Sequence, residues 1–328
     1  FAPILMLLNA FAMLVGSGGA PRAAIAMGKK DHDTAEKIVG NCFTLLTGLA
    51  VILTILFYIS APTLLKLFGA SSATMSYATA YARIYILGSF FVLIVLGMNP
   101  FITTQGFAKI SMMTTVIGAV INIILDPVFI FVLGMGVKGA ALATVLSQAV
   151  GAIWILCFLT GKKTILRLTK ENMRLEVRVF GPCLALGIST FVMLSTESLL
   201  SISFTNSLSR YGGDVAVGAM TIITSINQLV AMPVQGICQG GQPIISYNYG
   251  ADKPERVKKA FFTQFCACVA YTFTFWAVIM FFPQVFASIF TANKELVEYS
   301  SWALRIYMAC LLLFGIQMAC QMTFTSLG

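Results

Sequence analysis

Nine runs of apolar residues, most of them about 20 residues or longer, follow one another along this chain with only short polar stretches between them. Their bounds are about 1–27, 34–60, 74–104, 109–133, 138–161, 179–209, 214–247, 255–282 and 294–326. A run of that length crosses a bilayer as α-helix, because hydrocarbon leaves every backbone N–H and C=O to be satisfied within the segment. The alternating ten-residue pattern of a spanning β-barrel is absent. Composition agrees: 58% of residues are hydrophobic and 10% charged, against roughly 25% charged in a soluble domain. The expected fold class is an all-α polytopic membrane protein. The chain opens inside an apolar run with no charged leader or cleavage site, so its first residue reads as a truncation and not as a signal peptide.

The net charge of +9 is unevenly placed. Of the 21 basic residues, 15 fall at the ends of alternate runs: Arg22, Lys29, Lys30 and Lys37; Lys109; six between Lys162 and Arg178; and Lys253, Arg256, Lys258 and Lys259. The intervening loops hold only Lys66, Lys138, Arg210 and Lys294, while Arg83 and Arg305 lie within runs. Such bias marks the first set of loops as cytoplasmic. The basic balance is therefore topology, and nucleic acid is not an expected partner.

A repeat runs through the chain at a constant offset of 222 residues. Gly18-Gly19-Ala20-Pro21 with Gly28 returns as Gly240-Gly241-Gln242-Pro243 with Gly250. Phe68, Tyr77, Arg83, Ile84, Tyr85 and Gly106 return as Phe290, Tyr299, Arg305, Ile306, Tyr307 and Gly328. The two copies lie six runs apart, an even number, so both enter the membrane in the same direction as parallel repeats. Each unit should hold six helices, which places one helix before Phe1 and two after Gly328. The expected lobes are 1–161 (helices 2–6) and 179–328 (helices 7–10), joined by a basic cytoplasmic connector at 162–178. That connector reads either as a solvated linker or as a segment along the lipid surface. Pro21, Pro233 and Pro243 stand among glycines, so bends are expected there; the glycines read first as close helix packing, and a bend recurring in both halves makes a hinge the second reading. Asp33 and Asp252 read as helix caps, each followed three residues later by a glutamate.

Of 12 acids, ten lie in loops or near the ends of apolar runs; the two exceptions are Asp126 and Glu197. Asn122 lies one helical turn before Asp126 on the same face. Thr144 and Gln148, also four apart, offer oxygens from the next run. A carboxylate, an amide and a hydroxyl suit Na⁺, and the same carboxylate can instead carry a proton. The alternative is a buried Asp-Pro helix end without a transport role. Glu197 is flanked by Ser195, Thr196, Ser198, Ser201 and Ser203; it faces a watery cavity or is a buried glutamate held by hydroxyls. Arg83 and Arg305 read as arginines reaching the outer interface. The eight cysteines suggest neither a disulfide framework nor a zinc site, and the single His32 excludes a histidine cluster. No phosphate-cradling loop is present, so energy has to come from an ion gradient.

Ala26-Met-Gly-Lys-Lys-Asp31, Leu67-Phe-Gly-Ala, Asn122-Ile-Ile-Leu-Asp-Pro127 and Gly134-Met-Gly-Val-Lys-Gly-Ala-Ala141 together resemble the multidrug and toxic compound extrusion family of bacterial transporters. The resemblance covers the whole chain. It implies a twelve-helix fold of two six-helix lobes, of which nine helices are present here, exporting organic cations against Na⁺ or H⁺. Family members with a cation site in the first lobe use an acid and an asparagine four apart on the fifth helix, a threonine on the sixth and an aspartate on the first; Asn122, Asp126 and Thr144 match the first three. Other members carry a glutamate on the seventh helix, which Glu197 resembles. Their companion acid on the tenth helix is replaced by Gln317 and Gln321, the remaining candidates for a second cation or substrate site.

The expectation is a monomeric secondary antiporter of the bacterial inner membrane, not an enzyme, with no cofactor beyond the coupling ion. A flippase for lipid-linked saccharides or peptidoglycan precursors is the rival of similar architecture. An intramembrane enzyme and a channel are the rivals of other classes; the runs supply neither a catalytic cluster nor a filter sequence.

Overall fold

The computed structural model describes the backbone of residues 2–67 and 72–328, and their side chains except at positions 2, 3, 67, 72–74, 198, 201, 202, 205, 206, 209 and 214. Phe68, Gly69 and Ala70 of the sequence motifs therefore lie outside the described residues, as do the side chains of Leu67, Ser198 and Ser201. Eleven α-helices make up the described chain: α1 (Ala2–Gly28), α2 (His32–Leu67), α3 (Ser72–Leu87), α4 (Ser89–Thr104), α5 (Ala108–Pro127), α6 (Val137–Thr160), α7 (Val177–Gly250), α8 (Pro254–Phe281), α9 (Pro283–Phe290), α10 (Lys294–Tyr307) and α11 (Leu311–Leu327). No strand occurs among them. Seven helical stretches are long and apolar enough to cross a membrane, or nine when each of two bent pairs counts as one span. Those nine match the nine apolar runs. Helix α7 supplies two of them, Val177–Glu197 and Val215–Gly250, because its backbone leaves helical geometry at Gly213 (φ 64°, ψ −163°).

Packing divides the chain into two compact units, Phe1–Ser195 with Gly328, and Thr196–Leu327. The division falls inside α7 because the start of that helix is fitted to α1. A Cβ at Gly18 would overlap the Cys183 carbonyl, one at Gly187 would overlap the Leu14 carbonyl, and Phe11 meets Phe191 at 5.1 Å. Small residues let two backbones approach closely where apolar burial alone supplies no drive between helices. The core of the first unit runs through α1, α2 and α4, with Leu46, Ile94, Met98 and Phe101 fully buried. A smaller core in the second unit centres on Ile226, Ile279 and Leu304.

The duplication is visible in matching details of the two units. α3 and α4 meet at a bend of 54°, and α10 and α11 at one of 48°, at positions related by the same offset. At the first bend Thr54 of α2 donates to the Ile86 carbonyl (3.4 Å). Its counterpart Trp276 of α8 donates from Nε1 to the Ala309 carbonyl (3.1 Å) at the second. A carbonyl freed by a break in a membrane helix needs such a donor. Likewise a Cβ at Gly19 would meet Cys42 Sγ, and one at the equivalent Gly241 would meet Oε1 of Gln264, the residue equivalent to Cys42.

The connector is neither a free linker nor a membrane-surface segment along its whole length. Gln105 Oε1 accepts from the Thr164 hydroxyl (2.7 Å), Ile165 N–H (2.7 Å) and Leu166 N–H (2.9 Å). Asn41 donates to the Asn172 carbonyl (3.3 Å) and accepts from Glu176 N–H (2.7 Å). Leu166 and Leu168 are buried. Glu36 accepts from Arg167 N–H (3.0 Å) and Asn172 Nδ2 (3.2 Å), so its role is in the connector and not in a capping box. The cap of α2 is Asp31, not Asp33: Asp31 Oδ1 accepts from Thr34 N–H at 3.1 Å. Hydrogen bonds from the Thr34 hydroxyl and amide hold its carboxyl below the ordinary value. Asp252 does not cap α8 either; its φ is 54°, and α8 begins at Pro254 after Lys253.

Candidate functional site

Asp126 occupies the last turn of α5, immediately before Pro127. Proline brings no N–H, so the carbonyl of Ile123 loses its helical donor. The chain widens here into a π-turn over Val128–Val132, closed by Leu133 N–H to the Val128 carbonyl at 2.9 Å. Single π-turns of this kind recur at functional sites. The reversal into α6 follows through Gly134 and Gly136, both at positive φ (63° and 56°).

Helix α5 presents two faces. Ile123, Ile124, Phe131 and Val132 are exposed, the face suited to lipid. Asn122 and Asp126 are half-buried, and within them Asn122 Nδ2 and Asp126 Oδ1 are shut away from solvent with no hydrogen-bond partner among the described residues. An orphaned carboxylate oxygen at this depth costs several kcal/mol unless something positive sits beside it. A half-turn of the Asn122 amide presents an oxygen where Nδ2 now stands.

The opposing wall is α6, which runs antiparallel to α5. Its register is fixed by close approaches of Gly151 to Thr114 (3.5 Å), Gly118 to the Ser147 carbonyl (3.7 Å) and Gly139 to the Phe129 carbonyl (2.7 Å), each measured from a Cβ placed on the glycine. This register brings Thr144 level with Asn122. The Thr144 hydroxyl donates to the Ala140 carbonyl (3.0 Å), which leaves its oxygen lone pairs available. Gln148 stands level with residues near Gly118, roughly 12 Å along the helix from Asp126 at 1.5 Å per residue. The structure thus groups Asp126, Asn122 and Thr144 on two adjoining helices and sets Gln148 apart.

In the second unit Glu197 is exposed, without a hydrogen bond or ion pair among the described residues, so it is not a buried glutamate held by hydroxyls. Ser203 nearby is exposed too. Gln317 Nε2 donates to Gln321 Oε1 (3.0 Å) on α11, an exposed pair. Pro21 lies inside the continuous α1, and Pro233 and Pro243 inside α7. Arg83 rests its guanidinium 5.6 Å from the Tyr58 ring. All eight cysteines are free, with Cys238 and Cys268 3.7 Å apart between sulfurs, and no group of three metal-ligating residues occurs among the described residues.

Sequence reasoning passed over Gln105 and Asn41, the two side chains that hold the connector. Neither carries charge; Gln105 ends α4 and Asn41 lies in the third turn of α2, and their burial is what distinguishes them.

Comparison with known proteins assigns the family. The MatE family matches residues 1–128 and 189–328. The multidrug export protein MepA of Staphylococcus saprophyticus is 26% identical over 316 residues, covering 96% of this chain and 69% of that protein. An outward-facing multidrug resistance MATE family transporter of the MOP superfamily superposes with a TM-score of 0.92 at 26% identity, over 100% of this chain and 73% of its own. The MATE multidrug transporter DinF-BH superposes with a TM-score of 0.91 at 33% identity, over 99% of this chain and 73% of its own. With its duplicated helical units and its spans matched along their length, the chain belongs to the MatE family of multidrug and toxic compound extrusion transporters, as a multi-pass membrane protein of that family's twelve-helix fold.

Proposed function

We propose that this protein is a secondary antiporter that exports organic cations in exchange for Na⁺ or H⁺, with Asp126 as the coupling group, and that it works as a monomer. The observation that carries the reading is the buried, unpartnered Oδ1 of Asp126 one turn from the unpartnered amide of Asn122, with Thr144 level with them on α6. A carboxylate so placed favours whichever state of the protein gives it a cation or a proton, so ion binding shifts the population of conformations. Asn122 and Thr144 supply further oxygens if the ion is Na⁺; Gln148 is too far along α6 to be a direct ligand. The names of the relatives, multidrug export and multidrug resistance, support a broad set of exported compounds. In this reading residues 1–161 and 179–328 act as the two lobes, Pro21, Pro233 and Pro243 as points of bending, and Glu197 with Gln317 and Gln321 as a second site for cation or substrate.

The test is Asp126→Asn. Efflux of a fluorescent organic cation from vesicles driven by a Na⁺ gradient, or separately by a pH gradient, should be abolished while membrane insertion is unchanged. The gradient that drives the unaltered protein names the ion. Drug resistance and efflux equal to those of the unaltered protein would overturn the assignment.

A further inference from the structure

A cavity of about 250 Å³ opens between α9 and α10, lined by Gln284, Glu298, Ser301, Trp302 and Arg305. The lysine and arginine bias puts this loop region on the side away from the cytoplasm. Glu298, Trp302 and Arg305 are spaced at i, i+4 and i+7, so they share one face of α10. Neither charge is neutralised by the protein: the one ion pair among the described residues is Lys258 with Glu255 (3.3 Å).

The other copy of the repeat lacks this arrangement. There Arg83 stands in place of Arg305 but rests on the Tyr58 ring, and Ser76 and Ala80 stand in place of Glu298 and Trp302. The carboxylate, the indole and the free guanidinium are thus particular to one unit of a duplicated fold, which general packing does not require.

Seven residues of helix set the backbone positions of Glu298 and Arg305 about 10.5 Å apart along the axis, with both side chains at the wall of one cavity. A ligand that carries an anion and a cation a few ångströms apart can meet both, its anion on the guanidinium and its cation on the carboxylate. A phosphate and an ammonium joined by two carbons form such a pair of charges. Trp302, 60% exposed, is the kind of amphipathic ring that settles at headgroup level. Phe281, Phe282, Val285 and Ile289 beside it are exposed and apolar, a surface for acyl chains. We propose that this cavity holds the headgroup of a phosphatidylethanolamine of the outer leaflet, its phosphate on Arg305 and its ammonium on Glu298 and Trp302. The assignment uses the fold and sidedness only and stands apart from the coupling role of Asp126.

The experiment is native mass spectrometry of the full-length protein titrated with phosphatidylethanolamine, phosphatidylglycerol and phosphatidylcholine of equal chain length. The unaltered protein should bind phosphatidylethanolamine about tenfold more tightly than the other two, as expected for one extra charge-assisted bond. Glu298→Gln should bring phosphatidylethanolamine to the level of phosphatidylcholine, and Arg305→Gln should weaken all three. Both side chains are exposed, so folding should be retained; Arg83→Gln, the equivalent in the other unit, should leave lipid preference unchanged. Equal binding of the three lipids, a preference that survives both substitutions, or an equal loss in Arg83→Gln would overturn the proposal.

Discussion

Asp126 was legible because a lone carboxylate within an apolar run is expensive enough to demand a reason. Asn122 followed from helical spacing alone. Gln148 has the same spacing from Thr144, yet spacing relates residues on one helix and says nothing of how two helices slide past each other. The glycine contacts of α5 on α6 fix that register and leave Gln148 about two turns away. Asn122→Ala should therefore weaken the apparent affinity for the coupling ion about tenfold, the loss of one ligand, whereas Gln148→Ala should stay close to the unaltered protein. The ion dependence of vesicle efflux separates the two. Gln105 makes the opposite lesson, since nothing in its neighbours hints that one side-chain oxygen serves three donors. Gln105→Leu should destabilise the first unit by about 2–4 kcal/mol, from buried donors left without an acceptor. The measurement is a fall in thermal midpoint together with faster proteolysis within 162–178.

Among the elements, run lengths announced the nine spans but not their interior breaks. Runs 74–104 and 294–326 read as single helices, and each bends at a position where no proline marks it: Gly88 in one and its counterpart Cys310 in the other. The signal lies elsewhere in the chain, in Thr54 and Trp276, the donors that satisfy the opened backbone. The π-turn after α5 is a different case, because Pro127 removes a specific donor. Pro127→Ala restores an N–H to the Ile123 carbonyl and should let α5 continue as ordinary α-helix. That change rotates Phe129 relative to Asp126 and disturbs the contact of Phe129 with Gly139 on which the approach of α6 depends. The expected outcome is a folded, inserted protein whose ion-driven efflux falls at least about tenfold. Unaltered coupling in Pro127→Ala would show that the π-turn has no part in placing Asp126.

For the molecule as a whole, the repeat and the charge bias make separate claims that have to agree. An offset of 222 residues spanning an even number of membrane crossings requires both copies to face the same way, and the basic residues independently put Lys29 and Lys253 on one side. The connector adds a third constraint, since it is bound to α2 through Asn41 and Glu36 and must share their side of the membrane. A single cysteine placed at Lys163, with the native thiols replaced, should react with a membrane-impermeant maleimide only after the cells are permeabilised. One placed at Asn293, at the start of α10, should react in intact cells. Labelling at 163 in intact cells would reverse the topology, and with it the leaflet to which the cavity beside Arg305 opens. Labelling of both positions from one side would contradict the parallel repeat itself, because an odd number of crossings separates 163 from 293 in the nine-span arrangement.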